Sequence, residues 1–224
     1  MDEITSRVLA QLEPEGLDAE GQSWQQRKSV QTRVTILEAA IDCLQKHGYG
    51  RTTTQLIAEI AGISRGAMLH HYATKQDLIA SVIDYTMYKR MEVFIEAVRA
   101  MADSERVDQM AAVEVYWQSL LTREFAAYLE LMMAARTDAE LAAVFLPKAR
   151  RYSKTELAEV VRAFPEWADK PEEYALAMDY CAAAMQGLLL NRDIWDDRER
   201  RVTLRRFVAD TLAMVRTGAL PTPG

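Results

Sequence analysis

Residues 52–72 read T-T-T-Q-L-I-A-E-I-A-G-I-S-R-G-A-M-L-H-H-Y, and this stretch decides the fold of the N-terminal part of the chain. Thr52, followed three residues later by Gln55, has the pattern of a capping box. That pattern predicts a short helix that runs to Ala61. Gly62 tolerates a positive φ, so the helix is expected to end there in a sharp turn.

A second short helix is predicted directly after this turn. Ser64 is suited to cap it, and the helix runs from Arg65 to Tyr72. Met68 and Tyr72 are four residues apart, so both are expected to face inward. Two short helices joined by a glycine-containing turn are typical of a helix-turn-helix, which places its second helix in the major groove of DNA.

The adjacent pair His70 and His71 has two other interpretations, a metal site and a catalytic pair. Neighbouring helical residues point about 100° apart, so the two rings do not ligate one metal together. Ser64 is explained by its capping position, and the chain contains no G-x-S-x-G, glycine-rich phosphate loop or H-E-x-x-H. We therefore expect no enzyme activity, metal or cofactor.

The remaining interpretation is a recognition helix whose exposed face contacts DNA. Arg65 has two donors for a guanine edge, Ala67 and Leu69 suit thymine methyl groups, and Gly66 permits close approach to the groove floor. The predicted DNA-binding residues are Arg33, Thr52, Thr53, Gln55, Ser64, Arg65, Gly66, Ala67, Leu69, His70, His71 and Lys75. The alternative is an ordinary solvated helix face, with His71 bonded to a backbone carbonyl.

Charge is unevenly distributed along the chain. The 224 residues carry a net charge of −6, yet residues 27–75 contain seven basic residues against three acidic ones. A basic N-terminal part attached to an acidic remainder suits a protein that binds nucleic acid through one region only.

Composition and periodicity predict an all-α protein. The sequence has only 9 Gly and 6 Pro among many strong helix formers, and no alternating β-branched run. Residues 1–26 are interpreted as a mobile acidic arm, residues 27–77 as a three-helix DNA-binding domain, and residues 78–220 as a helical domain. The predicted helices cover residues 31–47, 52–61, 65–72, about 74 to beyond 100, about 107–121, 125–136, 139–163, 171–191 and 198–216, with Pro147 marking a start or a kink.

Cysteine usage and the N-terminus point to the cytoplasm. Cys43 and Cys181 are far apart and outside any C-x-x-C pair, so we expect two reduced, buried thiols. The first residues are acidic where a signal peptide needs basic ones, and no apolar run approaches membrane-spanning length. We expect a cytoplasmic protein with no membrane association.

The N-terminal helices resemble a known family of proteins. The run from Ile36 to Leu78 closely resembles the DNA-binding domain of the tetracycline-repressor (TetR/AcrR) family of bacterial transcription regulators. The matching features are the helix before G-Y, the threonine pair, I-A-x-x-A-G-I-S, the R-G pair, the aromatic that closes the recognition helix, and T-K-x-x-L. Leu69 departs from the family, whose members commonly carry a tyrosine there that contacts the DNA backbone.

The resemblance implies a homodimer that binds a palindromic operator and is released by a small effector. Helices around residues 171–191 and 198–216 are rich in apolar and small residues, and we assign them to the dimer interface. The interface residues are Ala182, Ala183, Gly187, Leu204, Phe207, Val208, Thr211 and Leu212. The alternative is that both helices only complete the core of one chain.

The same resemblance implies an effector cavity in the helical domain, which favours a largely apolar ligand because the helices concerned are rich in aromatic and methionine side chains. The proposed lining is Tyr85, Tyr88, Tyr116, Trp117, Phe125, Tyr128, Met132, Met133 and Arg136, with Arg136 as an anchor for an acidic group. The alternative is that these residues belong to the ordinary hydrophobic core and line no cavity. A ligand-binding or protein-interaction module without DNA binding is the alternative function.

Overall fold

The computed structural model describes residues 9, 12–17, 23–102, 108–164, 167, 169–195 and 197–220, with the backbone alone for residues 159–163. Within these ranges the secondary structure is entirely helical, which confirms the predicted all-α fold. The helices are α1 (Trp24–His47), α2 (Thr54–Ile60), α3 (Arg65–His71), α4 (Lys75–Ala100), α5 (Gln109–Leu120), α6 (Arg123–Ala134), α7 (Ala139–Ala163), α8 (Pro171–Leu190) and α9 (Arg198–Thr217), with a 3-10 turn at Tyr49–Arg51.

Helix α1 begins at Trp24, earlier than the predicted start at residue 31. Its first turn is fixed by a capping box, in which the Ser23 hydroxyl accepts from the Gln26 N–H and the Gln26 side chain accepts from the Ser23 N–H. The apolar pattern misses these turns because most of their side chains are polar and none is buried. The first buried residue of α1 is Ile36.

Two of the N-terminal helices are followed by glycines with positive φ, Gly48 and the predicted turn residue Gly62. Gly48 has φ +73° and its N–H donates to the Leu44 carbonyl at 2.9 Å, which closes α1. Gly62 has φ +66° in the turn between α2 and α3. A residue with a Cβ is strained in this conformation, so both turns depend on glycine.

The chain divides into two compact units. The first comprises Met1–Glu92 and Thr122–Ser153, and the second comprises Val93–Leu121 and Lys154–Gly224. The predicted domain boundary after residue 77 lies inside α4, which is continuous from Lys75 to Ala100.

Most of the predicted arm, residues 1–26, lies outside the described residues. The part that is described belongs to the first unit, where Pro14 is buried. A side chain at Gly16 would meet the Arg33 guanidinium, so this short segment packs beside α1.

Two smaller predictions concern Pro147 and the two cysteines. Pro147 lies inside α7 rather than at its start. Cys43 and Cys181 are both free and buried, as predicted, and burial raises the pKa of the Cys181 thiol to about 12. No helix in the described ranges is long and apolar enough to span a membrane.

Candidate nucleic-acid interface

Helix α2 is capped one residue later than the sequence pattern suggested. The N-cap is Thr53, whose hydroxyl accepts from the Leu56 N–H at 3.1 Å, so the predicted cap at Thr52 is wrong. Thr52 is fully buried because its hydroxyl donates to the Gly48 carbonyl at 2.8 Å. Its side chain therefore offers no surface to DNA, and we remove it from the predicted contacts.

Helix α3 is held by a cap and by two buried side chains. The Ser64 hydroxyl accepts from the Ala67 N–H at 3.1 Å, which satisfies a donor of the first turn. Met68 and Tyr72 are buried at 1% and 5% exposure, as predicted. Since both anchors lie on one face, the opposite face of this short helix is left to solvent.

That solvent face carries most of the predicted recognition residues. Arg65, Gly66, Leu69 and His70 are exposed, and Ala67 and His71 are partly exposed. Leu69 is 49% exposed, which leaves an apolar side chain uncovered on the recognition helix.

Other predicted DNA-binding residues lie at the starts of the two neighbouring helices, α2 and α4. Thr53 and Gln55 are exposed at the start of α2, and Lys75 is exposed as the first residue of α4. The Lys75 ammonium lies 5.0 Å from the centre of the Tyr49 ring, a cation–π contact that keeps this charge at the helix N-terminus. Thr74 and Asp77 form a reciprocal cap there, each side chain accepting from the other's N–H at 3.0 Å.

His71 lies in a weakly electropositive environment. Burial lowers the pKa of its imidazole, and the nearby charges of Arg33 and His70 lower it further. Arg33 also lowers the pKa of Tyr72, against the larger opposing effect of burial. Arg33, predicted from the sequence as a DNA contact, is therefore close to the C-terminal end of α3.

The predicted effector residues are divided between the two compact units. In the first unit Tyr85 and Tyr88 stack at 6.4 Å between ring centres, and Phe125 and Tyr128 lie 6.0 Å apart. Met132 is partly exposed, whereas Met133 and Arg136 are exposed. Tyr116 and Trp117 belong to the second unit.

In the second unit, Tyr116 and Trp117 have partners of their own. The Tyr116 hydroxyl accepts from the Gln186 amide at 3.4 Å, and the Arg205 guanidinium lies 5.0 Å from the Trp117 ring centre. Trp117 is buried, so it contributes to the packing of this unit. The structure does not bring the predicted lining together within one unit.

Sequence reasoning missed Arg90, which lies among three aromatic rings of the first unit. Its guanidinium is 5.1 Å from the ring centre of Phe125, 4.2 Å from that of Tyr128 and 4.9 Å from that of Tyr152. Several rings around one cation give a favourable cation–π arrangement. No local sequence pattern predicts this arrangement, because the rings lie on α6 and α7, which are far from Arg90 in sequence.

The predicted dimer residues all lie in the second unit but differ in exposure. Val208 and Leu212 are buried at 5% and 2% within the chain itself, so the structure removes them from the predicted interface. Phe207 and Ala183 are exposed, and Ala182, Gly187, Leu204 and Thr211 are partly exposed. The unit also exposes large apolar residues that the sequence analysis did not select, namely Leu176, Tyr180, Leu190, Ile194, Val202 and Met214.

Comparison with known proteins supports this assignment of the N-terminal helices. The family model for bacterial regulatory proteins of the TetR family matches residues 36–82. An uncharacterized HTH-type transcriptional regulator of Mycobacterium tuberculosis is 30% identical over 149 residues, covering 66% of this chain and 75% of that protein. The HTH-type transcriptional repressor AcnR of Corynebacterium glutamicum is 34% identical over 90 residues, covering 38% of this chain and 48% of AcnR.

A solved structure shows the same fold over most of the chain. Salmonella enterica GusR matches with a TM-score of 0.59 at 21% identity, covering 82% of this chain and 96% of GusR.

A capped recognition helix that is anchored on one face and exposed on the other defines a helix-turn-helix DNA-binding protein. Together with the matches, this makes the protein a DNA-binding transcriptional regulator. The chain belongs to the TetR family of bacterial regulatory proteins.

Proposed function

We propose that the protein is a homodimeric, cytoplasmic repressor that binds a palindromic operator and is released by a small, largely apolar effector. The observation that carries the DNA-binding part is the solvent face of α3, where Arg65 and Leu69 are exposed while Met68 and Tyr72 hold the helix to the core. Repression is supported by the similarity to AcnR, a transcriptional repressor. No catalytic step is part of the proposal.

Base contacts are assigned to residues 65–69 of α3. Arg65 pairs with a guanine edge, and Ala67 and Leu69 contact thymine methyl groups. Gly66 fits this role because a methyl group added there would meet only the Ser64 hydroxyl, at 3.8 Å, among the described residues. The fold itself does not demand glycine at this helical position, which favours a steric demand from the DNA.

Phosphate contacts are assigned to the surrounding polar residues. Thr53, Gln55, His70, His71 and Lys75 set the register of the helix on the duplex without specifying sequence. Lys75 adds its charge to the N-terminus of α4, where unpaired N–H groups already favour an anion.

Dimerisation is assigned to the exposed apolar residues of α8 and α9. Phe207 is 64% exposed, and Leu176, Tyr180 and Met214 are also exposed. A monomer would leave this apolar surface in water, whereas an isologous contact between two copies buries it.

The effector is assigned to the aromatic cluster of the first unit. Tyr88 and Tyr128, which are partly exposed, supply ring surface for a largely apolar ligand, and the buried rings of Tyr85 and Phe125 pack beside them, with Met132 nearby in sequence on α6. Effector binding favours a conformer with lower operator affinity, so operator and effector weaken each other's binding by the same factor.

The proposal is tested by fluorescence anisotropy of the purified protein with DNA from upstream of its own gene, and with sequences selected from a random pool. We expect one protein dimer per palindrome and a steep loss of affinity with added salt, because phosphate contacts release counterions. Absence of specific binding to any selected DNA at low salt would refute the operator-binding proposal.

Operator affinity is expected to rise as the pH falls from about 7.5 to 6. In the free protein, burial and the charges of Arg33 and His70 hold the pKa of His71 below its ordinary value. The imidazole is therefore neutral at pH 7.5. A phosphate beside it favours the imidazolium, so binding takes up a proton. The gain is at most about tenfold per pH unit for each protomer.

His71→Gln should flatten this pH dependence, and His47→Gln, the same change at the C-terminus of α1, should leave it intact. The folded protein itself loses stability as the pH falls through this range, because the unfolded chain binds the His71 proton more tightly. Circular dichroism at each pH must therefore confirm that all three proteins remain folded. Equal slopes for all three proteins would remove His71 from the phosphate contacts.

A further inference from the structure

The first two turns of α1 form a helical projection in which no side chain is buried. Residues 23–28 are all exposed, and the first buried side chain of the helix is Ile36. At 1.5 Å per residue, Trp24 lies roughly 18 Å along the helix axis from Ile36. The capping box at Ser23 and Gln26 nevertheless fixes the first turn in helical form.

This projection is basic and carries an exposed tryptophan. Residues 23–37 include Arg27, Lys28 and Arg33 but no acidic residue, in a chain whose net charge is −6. Trp24 is 67% exposed, and the Lys28 ammonium lies 5.5 Å from its ring centre. A polar, basic helix end with one aromatic side chain is complementary to a polyanion.

The projection belongs to the same helix that supports the recognition motif. Helix α1 packs against α2, and α2 packs against α3, and the charge of Arg33 on α1 also contributes to lowering the pKa of His71 at the end of α3. Arg27 and Lys28 are six and five residues from Arg33, respectively, roughly 8–9 Å farther along the axis. That distance spans about two to three base pairs of duplex DNA.

We propose that residues 24–31 form a second DNA-contact surface, which binds the phosphate backbone beside the half-site read by the recognition helix. Arg27 and Lys28 pair with phosphates, and Trp24 packs against the sugar-phosphate backbone. This inference rests on the proposed operator binding and extends the predicted contacts beyond residue 33. An anionic membrane is a poorer occupant, because only Trp24 and Val30 are apolar in this segment and interfacial helices need a continuous apolar face.

The test compares two operator probes, one trimmed to the half-sites and one with ten further base pairs on each side. Arg27→Ala/Lys28→Ala is expected to bind the long probe about tenfold more weakly than the wild type and the trimmed probe equally well. Each lost phosphate contact lowers the slope of log K against log salt by about 0.9. The variant dimer lacks two contacts in each protomer, so the magnitude of its slope should fall by between about 3 and 4. Arg150→Ala/Lys154→Ala, which removes two exposed charges from α7, should change neither probe.

Trp24 gives a second readout. The fluorescence emission of Trp24 is obtained as the difference in emission between the wild type and Trp24→Phe. This difference should change when the long probe is added. Circular dichroism should show the same helix content in all variants, because the substituted side chains are exposed.

The outcomes separate this inference from the function on which it rests. If the wild type binds the operator and the Arg27/Lys28 variant binds both probes equally well, the second surface is refuted while operator binding stands. If Trp24 emission responds to vesicles of anionic phospholipid but not to DNA, the occupant is a membrane and the inference is wrong. If the wild type binds no DNA, both proposals fail.

Discussion

Replacing Arg65 by alanine is expected to cause the largest loss of operator affinity of any single substitution. A bidentate contact to guanine contributes about 1–3 kcal/mol of discrimination. The proposed dimer has two recognition helices, so the expected cost in binding free energy is about 2–6 kcal/mol. Operator affinity should therefore fall roughly 30-fold to more than 10⁴-fold. Arg65 is exposed directly after the Ser64 cap, so the free energy of unfolding should change by less than about 0.5 kcal/mol.

Lys75→Ala provides the matched control, because it also removes one exposed positive charge from the helix-turn-helix region. A phosphate contact carries no sequence information, so this variant should bind operator and random DNA more weakly by the same factor. Arg65→Ala should lower operator binding far more than random binding. Anisotropy titrations of both DNAs at one salt concentration give the comparison, and equal losses for Arg65→Ala on the two DNAs would assign Arg65 to the backbone.

The helix caps of this region could be predicted because the residues that form each cap lie within three or four positions of one another. Ser64 caps α3 through the Ala67 N–H, and Thr74 and Asp77 cap α4 through each other. The cap of α2 was misplaced because Thr52 and Thr53 both have suitable hydroxyls. Only the folded position of Gly48, whose carbonyl takes the Thr52 hydroxyl, decides between them.

Contacts between distant segments could not be predicted in the same way. The Arg123 contacts with Asp42 and Glu38 span 81 and 85 residues, and a lone arginine in a sequence does not indicate its partner. Helical periodicity has a related limit, because it marks an apolar face without saying what covers it. Val208 and Leu212 are covered by their own chain, whereas the neighbouring Phe207 is exposed.

Arg123→Met is expected to be the most destabilising change among the charged residues of the first unit. The Arg123 guanidinium donates to Asp42 at 2.8 Å and to Glu124 at 3.0 Å, and it also pairs with Glu38. The contacts with Asp42 and Glu38 join α6 to α1. Removal of the guanidinium leaves these three carboxylates without the cation that bonds to all of them, while the nearby charge of Lys89 still acts on Glu38 and Glu124.

The expected cost is about 1–3 kcal/mol, below the 3–5 kcal/mol of a broken, fully buried pair, because the Arg123 side chain is 35% exposed and solvent screens it. In a chain of this size each kcal/mol lowers Tm by about 2–4 °C. Thermal unfolding should therefore begin several degrees earlier. The wild type and variant are compared by circular dichroism at the same pH and salt.

A double-mutant cycle with Asp42→Asn identifies the cause. If the guanidinium acts by compensating these carboxylates, Asp42→Asn should cost less in the Arg123→Met background than in the wild type, since it then relieves repulsion. Lys148→Met is the control, because Lys148 pairs with a single partly exposed carboxylate, Asp84, and should cost less than about 1 kcal/mol. A loss for Arg123→Met no larger than for Lys148→Met would mean that the apolar faces of α1 and α6 hold these helices together without the ion pairs.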